Sequence, residues 1–380
     1  MTAAVNVARI GLVGPVLPFR GGIAQYTTRL HRTLRDRTSL TSLSFSRQYP
    51  KWLFPGESDR DPEHEGHAEP GVEYIIDPLN PATWVRAVRR LAEARVEGVV
   101  LPWWTVYFAP CFFYLKRALT ARGIPVVFLC HNVVDHEAAA YKRLLSRMVL
   151  VGAQGYCVHT RGEAERLASL VPGARVAAHC HPLYDQYPAS TGALPRRAGL
   201  ELLFFGFVRP YKGIDVLLDA MALLRRDDVR LSIVGEFWQG KKEILARVGA
   251  LGLSSKVDVV PRFVREQEAA EYFGRADLIV LPYRHATGSG IVAMAYHYGK
   301  PVLASRVGGL EDVVSHDTGY LVDPGSARAL ADAIERAGRD ELDRMRPGIE
   351  SFKARMTWEA LADTLLTLFE RQTVAPTNSA

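Results

Sequence analysis

Residues Pro282 to Pro301 read PYRHATGSGIVAMAYHYGKP, and they follow a continuous apolar run, DLIVL, that is typical of a buried strand. The small, glycine-rich segment ATGSG at 286–290 then leads into a stretch with helical spacing. The N–H groups and the positive dipole end of a helix N-terminus favour an anion, and glycines let a ligand approach the backbone closely. This segment therefore indicates either a site for the phosphates of a nucleotide-linked substrate or an ordinary tight turn.

The length and composition of the chain indicate a globular protein with two domains. Its 380 residues exceed one typical core, and a hydrophobic fraction of 48% allows each half to bury its own. No apolar run is long enough for a membrane-spanning helix, and the start, MTAAVNVARIGLVGP, lacks the pattern of a signal peptide. We therefore expect a cytoplasmic protein. The widely spaced cysteines are expected to be reduced and mostly buried; they are Cys111, Cys130, Cys157 and Cys180.

The net charge of +6 is confined to the first half of the chain. Residues 1–190 contain 22 Lys and Arg against 16 Asp and Glu, whereas residues 191–380 contain 25 of each. The first half therefore faces either solvent or something anionic, such as a phosphate-bearing acceptor or the inner face of a membrane, to which the protein would be peripheral. Nucleic acid is disfavoured, because the basic residues are spread over helices without a tight cluster.

Short apolar runs alternate with amphipathic segments in both halves, and this alternation predicts α/β folding with doubly wound parallel sheets. The segment Tyr184–Gly199 is dense in Pro, Gly and small residues and is the best candidate for a linker. We expect an N-terminal domain over residues 1–190, a C-terminal domain over 191–355, a final amphipathic helix over 356–372 and a disordered tail over 373–380. Residues 47–71 break the alternation and are expected to form a mobile loop.

Ligands of open α/β domains bind beyond the carboxyl ends of the strands, so the residues that follow each strand are the candidates. In the first domain Gly21 and Gly22 open a helix next to Arg20, without the dinucleotide fingerprint of a dehydrogenase. Trp103 and Trp104 follow another strand and either stack on a sugar or pack in the core. The next strand ends at His131, which begins the polar segment HNVVDHE with Asn132. His179 and His181 lack a third ligand, so no metal site is predicted.

In the second domain the first strand runs into the segment GFVRPYKG at 206–213. Arg209 and Lys212 place two cations at a strand end, where Arg can clamp phosphate oxygens and Lys acts as a point charge. Together with the ATGSG turn they suggest a site for one diphosphate. The segments GEFWQG at 235–240 and PRFVR at 261–265 close the same edge, and Phe263 could pack on a base.

With these residues in place, the chain resembles a retaining GT-B glycosyltransferase of the family 4 (group 1) type, most strongly over 203–213, 233–238 and 277–312. The resemblance implies two Rossmann-like doubly wound domains facing across a cleft, with the C-terminal domain binding the nucleotide-sugar donor and the N-terminal domain the acceptor. It also implies a terminal helix, over Trp358–Glu370, that crosses back to the first domain. The implied activity is metal-independent transfer of a hexosyl-type sugar, with retention, to the hydroxyl of a saccharide, glycolipid or small molecule. No cofactor is needed beyond the nucleotide-diphosphate sugar as co-substrate.

The resemblance also assigns roles to individual residues. Arg209 and Lys212 match the pair that neutralises the diphosphate, and His131 matches a histidine that contacts the donor sugar. On the acceptor side we place Arg20, Trp103, Trp104 and Asn132. The residues expected to bind the donor are Gly21, Gly22, Glu236, Phe263, Thr287, Gly288, Ser289, Gly290 and Ile291.

The chain departs from the family in one motif. The family has two glutamates separated by seven residues, and aligning Gly299–Lys300–Pro301 with its Gly-Lys-Pro puts Ala286 and Met294 at those positions. Donor hydroxyls and ribose must then be held by other groups, for which we consider Thr287, Ser289 and Glu236. An alternative function follows from the same departure, namely a non-catalytic nucleotide-sugar-binding protein or partner subunit. A sugar-nucleotide epimerase or a phosphorylase is less favoured.

Overall fold

The computed structural model describes residues 9–50, 59–60, 66–134 and 140–370 of the chain. Two compact units are present: unit 1 combines Met1–His179 with Trp358–Ala380, and unit 2 is Cys180–Thr357. Three predictions fall partly or wholly outside the described residues, namely the loop at 47–71 in its parts 51–58 and 61–65, the polar residues 135–137, and the tail at 373–380.

Unit 1 contains a seven-stranded parallel sheet with the strand order β3-β2-β1-β4-β5-β6-β7. Central strands such as VVFLC are buried along their whole length, because helices cover both faces of the sheet. The strands are β1 (Arg9–Val13), β2 (Ser39–Phe45), β3 (Val72–Ile76), β4 (Gly98–Trp103), β5 (Val126–Cys130), β6 (Gly155–Val158) and β7 (Val176–Ala178).

The helices of unit 1 divide between the two faces of this sheet. They are α1 (Gly22–Arg35), α2 (Pro81–Glu93), α3 (Ala109–Thr120), α4 (Ala140–Leu150) and α5 (Arg161–Leu170). Successive side chains of a strand point to opposite faces of the sheet. In β1, Ile10 and Leu12 therefore join one apolar cluster with α1, and Val13 joins a second cluster with α2, α3, α4 and α5. Polar caps fix two helix starts: Asn80 accepts a hydrogen bond from Ala82 N, and Thr160 accepts one from Glu163 N.

Unit 2 contains a six-stranded parallel sheet with the order β10-β9-β8-β11-β12-β13. Its strands are β8 (Leu200–Phe205), β9 (Val229–Val234), β10 (Val257–Val260), β11 (Leu278–Leu281), β12 (Val302–Ser305) and β13 (Gly319–Val322). Its helices are α6 (Ile214–Leu223), α7 (Lys241–Ala250), α8 (Glu266–Arg275), α9 (Gly290–His297), α10 (Ala327–Arg336), α11 (Arg339–Arg344) and α12 (Arg346–Lys353). The predicted doubly wound α/β architecture is thus present in each unit.

The last helix, α13 (Trp358–Thr367), packs on unit 1. Trp358, Leu361 and Leu365 join the apolar cluster of Ile10 and Leu12. The Trp358 ring lies 4.8 Å from the ring of Tyr26 on α1. The periodicity of this segment did not specify which domain it would cover, and the aromatic contact shows why it belongs to unit 1.

The predicted linker Tyr184–Gly199 belongs to unit 2 and does not form a free connection. Glu271 on α8 accepts hydrogen bonds from Ser190 Oγ, Thr191 N and Ala193 N, at 2.8, 2.8 and 3.0 Å. These hydrogen bonds lower the pKa of Glu271 to about 2. A segment without periodicity is therefore attached to unit 2 by a carboxylate, together with contacts such as that of the Tyr298 hydroxyl with Pro188 O. The two units divide before this segment, at His179, rather than at residue 190.

Candidate functional site

The loop that follows β8 is pressed against the end of β11. Its Gly213 has φ 68°, and a Cβ atom there would lie 2.0 Å from the carbonyl oxygen of Pro282. Only glycine fits this position without moving the backbone. The short 3-10 turn Pro210–Lys212 is consequently held next to the segment that opens α9.

Arg284 connects the loop after β8 to the loop after β11. Its guanidinium forms a bidentate ion pair with Asp215 on α6, at 2.9 and 2.6 Å, and donates to Pro210 O at 3.0 Å. Its backbone N–H donates to Tyr211 O at 2.7 Å. Arg284 also lowers the pKa of the Asp215 carboxyl. This pair is not predictable from the sequence, because no sequence pattern links two positions 69 residues apart.

Lys212 is a buried cation, with 9% of its surface exposed. Its Nζ lies 5.2 Å from the ring centroid of Tyr283 and 5.9 Å from that of Phe204. Within the part of the chain that the structure describes, no carboxylate pairs with this ammonium, and burial lowers its pKa. A desolvated charge without a partner is unfavourable, so the position favours the arrival of an anion.

Arg209, three residues earlier, is exposed and lies on an aromatic side chain. Its guanidinium carbon is 4.0 Å from the ring centroid of Trp238, and the ring of Phe207 is 5.0 Å from the same indole. The backbone joins these loops as well, since Val208 N donates to Glu236 O and Trp238 N donates to Val208 O. Among the residues that the structure describes, Arg209 is thus positioned by a cation–π contact rather than by an acidic residue.

Lys212 and the start of α9 both lie close to Gly206. A Cβ atom added to Gly206 would lie 3.5 Å from Lys212 Nζ and 3.4 Å from Ile291 Cδ1. Ser289 caps the helix by accepting a hydrogen bond from Ile291 N at 3.2 Å. Among the described residues, the N–H groups of Gly288, Ser289 and Gly290 have no acceptor. A buried ammonium and a set of backbone donors therefore lie on one edge of the unit 2 sheet.

The other predicted donor residues follow strand ends of the same sheet. Glu236 and Thr287 are partly buried, and Phe263 is exposed. Ala286 packs at the margin of the apolar core, and Met294 is buried within it. The donor roles of Glu236, Thr287 and Phe263 stay predictions.

In unit 1 these predicted residues lie at the start of α1 and directly after β5. Gly21 precedes the helix with φ 111°, and Gly22 is its first residue. The ring of His131 lies 4.6 Å from the ring of Tyr26, edge-on, and 5.2 Å from the ring of His159. The backbone N–H of Arg20 donates to Asp59 O at 2.7 Å, and Asn132 is partly buried.

The two tryptophans at the end of β4 lie in the core of unit 1. Trp103 and Trp104 are only 1% and 8% exposed and belong to the apolar core. Their indole N–H groups donate to Val133 O at 3.3 Å and to the hydroxyl of Tyr49 at 3.1 Å. Because both rings are covered and their indole N–H groups are satisfied, these residues pack in the core, which is one of the two roles expected from the sequence, rather than offering a ring face to an acceptor.

Comparison with known proteins assigns the chain to a family. Residues 199–340 match the family model described as glycosyl transferases group 1. A D-inositol 3-phosphate glycosyltransferase of Jonesia denitrificans is 31% identical over 229 residues, which cover 56% of this chain and 53% of that protein. The protein of the same name from Xylanimonas cellulosilytica is 30% identical over 66% of this chain and 67% of its own length. The chain thus spans about half to two thirds of these relatives.

Solved structures with low sequence identity share the fold over almost the whole chain. Sucrose-phosphate synthase from Thermosynechococcus elongatus has a TM-score of 0.70 at 20% identity, covering 95% of this chain and 98% of its own. Anabaena HepE in complex with UDP and glucose has a TM-score of 0.71 at 18% identity, with the same coverage. The predicted GT-B fold class, with its two Rossmann-like domains, is confirmed by these similarities.

Proposed function

The chain belongs to the group 1 glycosyltransferases, and on this premise we propose that it transfers a sugar from a nucleotide-diphosphate sugar to an acceptor hydroxyl. The observation that carries the proposal is the buried ammonium of Lys212, which has no carboxylate partner in the described part of the chain and lies beside the start of α9. A diphosphate would supply the missing counter-charge and would accept hydrogen bonds from the backbone donors of Gly288, Ser289 and Gly290.

In the proposed reaction these groups stabilise the leaving diphosphate. Lys212 and Arg209 neutralise its charge, and the backbone N–H groups act as fixed donors that need no rearrangement during the reaction. The acceptor hydroxyl attacks the anomeric carbon on the face from which the nucleotide departs, and a leaving phosphate oxygen takes its proton. This route retains the anomeric configuration and requires neither a side-chain nucleophile nor a metal ion.

The nature of the donor and the acceptor is also a proposal. The Jonesia and Xylanimonas relatives are named for D-inositol 3-phosphate, and the HepE structure contains UDP and glucose. For this chain we propose a nucleotide-diphosphate hexose as donor and a hydroxyl of a saccharide, glycolipid or small molecule as acceptor. Contact of His131, Gly21 and Gly22 with the donor stays a prediction.

Membrane association of unit 1 stays a prediction as well. None of the helices among the described residues combines the length and the apolar character that crossing a bilayer requires. The excess of basic residues in the first half of the chain supports peripheral attachment to an anionic surface.

A ligand panel followed by a product assay tests the proposal. UDP-, GDP- and ADP-sugars are added to the purified chain, and its thermal unfolding is recorded. A ligand at a hundred times its Kd stabilises the protein by about 2.7 kcal/mol, so one nucleotide class is expected to raise Tm clearly. The stabilising sugar is then tested for transfer and for slow hydrolysis. A flat response to every donor would contradict the site, whereas binding without turnover would favour the non-catalytic alternative suggested by Ala286 and Met294.

A further inference from the structure

Helix α4 of unit 1 exposes a continuous row of apolar side chains. Tyr141, Leu144, Met148 and Val151 are 58%, 60%, 47% and 43% exposed. They follow one another at intervals of three or four residues, so they lie on one face of the helix, with Val151 just past its end. We call these four residues the α4 stripe. Scattered exposed apolar residues are ordinary, but an aligned row indicates a surface that something covers.

The charged residues of α4 and of the neighbouring helix α3 are all basic. The sequence of α4 is AYKRLLSRMVL, and that of its neighbour α3 is APCFFYLKRALT. Together they contain five basic residues and no acidic one, and Arg117, Arg143 and Arg147 are exposed whereas Lys116 is buried. Within the described part of the chain, Arg143 and Arg147 of α4 form no ion pair. The surface is therefore both apolar and positively charged.

The stripe is held firmly by the fold. On the opposite side of α4, Ser146, Val149 and Leu150 are buried. At its C-terminal end, the ammonium of Lys116 on α3 donates to the carbonyl oxygens of Met148 and Val151, at 3.3 and 2.5 Å. A cation at the helix C-terminus also interacts favourably with the helix dipole. The exposure of the stripe consequently does not arise from a frayed helix end.

The charge decides what can cover this surface. A second copy placed on the stripe with twofold symmetry would bring the arginines of both copies together without an acidic partner on either helix. An anionic bilayer suits both features, because the apolar row can enter the boundary between headgroups and acyl chains while the arginines meet lipid phosphates. We infer that α4 docks unit 1 on an anionic lipid bilayer, lying in the plane of the membrane surface.

Vesicle flotation tests this inference with the full chain and without any nucleotide sugar, so that its outcome does not depend on the proposed sugar transfer. The chain is mixed with vesicles of equimolar phosphatidylglycerol and phosphatidylcholine, or of phosphatidylcholine alone. We expect the wild-type chain to float with the anionic vesicles and much less with the neutral ones. Added salt should weaken the binding, because it screens the arginines.

Two double variants separate the apolar and the charged contributions. Leu144→Glu with Met148→Glu is expected to lower the partition coefficient about 100-fold or more, since two apolar anchors are lost. Arg143→Gln with Arg147→Gln should lower it about 30-fold on anionic vesicles only. Leu79→Glu is the matched control, because Leu79 lies in the same unit and is 53% exposed but is remote from α4 in sequence. All four positions changed in α4 are exposed, so Tm should stay within a few degrees of wild type.

Three results would overturn the inference. The first is a wild-type chain that floats with neither type of vesicle. The second is unchanged flotation of the Leu144→Glu, Met148→Glu variant, which would place the contact elsewhere. The third is self-association that this variant abolishes in the absence of vesicle binding, which would assign the stripe to a second copy of the chain.

Discussion

Replacement of Lys212 by methionine separates a binding role from a structural one. The ammonium gains two cation–π contacts, to Tyr283 at 5.2 Å and to Phe204 at 5.9 Å, each worth about 0.5–2 kcal/mol. Burial of an ammonium costs several kcal/mol, and no carboxylate within the described residues offsets it. Methionine keeps most of the volume and removes the charge. Without donor, the free energy of unfolding should therefore stay within about 1 kcal/mol of wild type or rise.

With donor the same substitution should have the opposite effect. Loss of one preorganised charge contact to the leaving group lowers kcat/KM about 10²- to 10³-fold, which corresponds to about 2.7–4 kcal/mol. The rise in Tm produced by the nucleotide diphosphate should shrink in parallel. Lys256→Met is the control, because Lys256 precedes β10, at the opposite end of the strands, and its loss removes an equal charge. Urea unfolding, thermal shift and initial rates provide the three measurements.

The pH dependence gives an independent check on Lys212. Its pKa in the folded chain lies below the ordinary value of 10.5, so the unfolded chain binds more protons between those two values. Wild-type stability should therefore rise relative to the Lys212→Met variant as pH increases through that window. Wild-type kcat/KM in the variant, or a large loss of stability without donor, would refute the reasoning and make Lys212 a structural residue.

Further predictions concern three other positions in unit 2. Gly213→Ala should lower the free energy of unfolding by at least about 1–2 kcal/mol because of its left-handed backbone, in addition to the clash with Pro282 O, and unchanged urea midpoints would contradict this. Arg209→Ala should lower kcat/KM on the order of 10²-fold with little change in urea midpoint, because its side chain is exposed; wild-type turnover would remove it from the site. Glu271→Gln should lower the free energy of unfolding at neutral pH, because the hydrogen bonds to Glu271 stabilise its ionised form. The difference in stability between variant and wild type should vanish as pH falls from about 4.5 to about 2, and a pH-independent difference would exclude the carboxylate as its cause.

The alternation of apolar runs and helical spacing was sufficient to predict the fold. The strand Val126–Cys130 illustrates this, because a strand buried within a parallel sheet is a continuous apolar run. The composition of the segment Tyr184–Gly199 predicts a linker. It is attached to unit 2 by Glu271 and by other residues distant in sequence, and local composition does not reveal such contacts.

The sequence predicted the charged residues of the candidate site better than the residues that hold its loops in place. Lys212 and Arg209 could be found because cations that follow a strand end are conspicuous. Arg284 and Asp215 could not, since their pairing depends on how two loops fold together. Trp103 has the same local position as a ligand-binding residue, and only its burial shows that it belongs to the core.

The loss of both glutamates changes how the predicted site must hold a ribose. Met294 is buried on α9 among apolar side chains, so a carboxylate at this position would be desolvated without a partner there. The apolar surroundings of this position therefore favour methionine over a carboxylate. Hydrogen bonds to ribose would have to come from the loop before the helix, where Ser289 already accepts from Ile291 N. A donor held mainly through its diphosphate, by Lys212, Arg209 and backbone groups, is expected to depend less on the sugar hydroxyls of the nucleoside than on its phosphate charge.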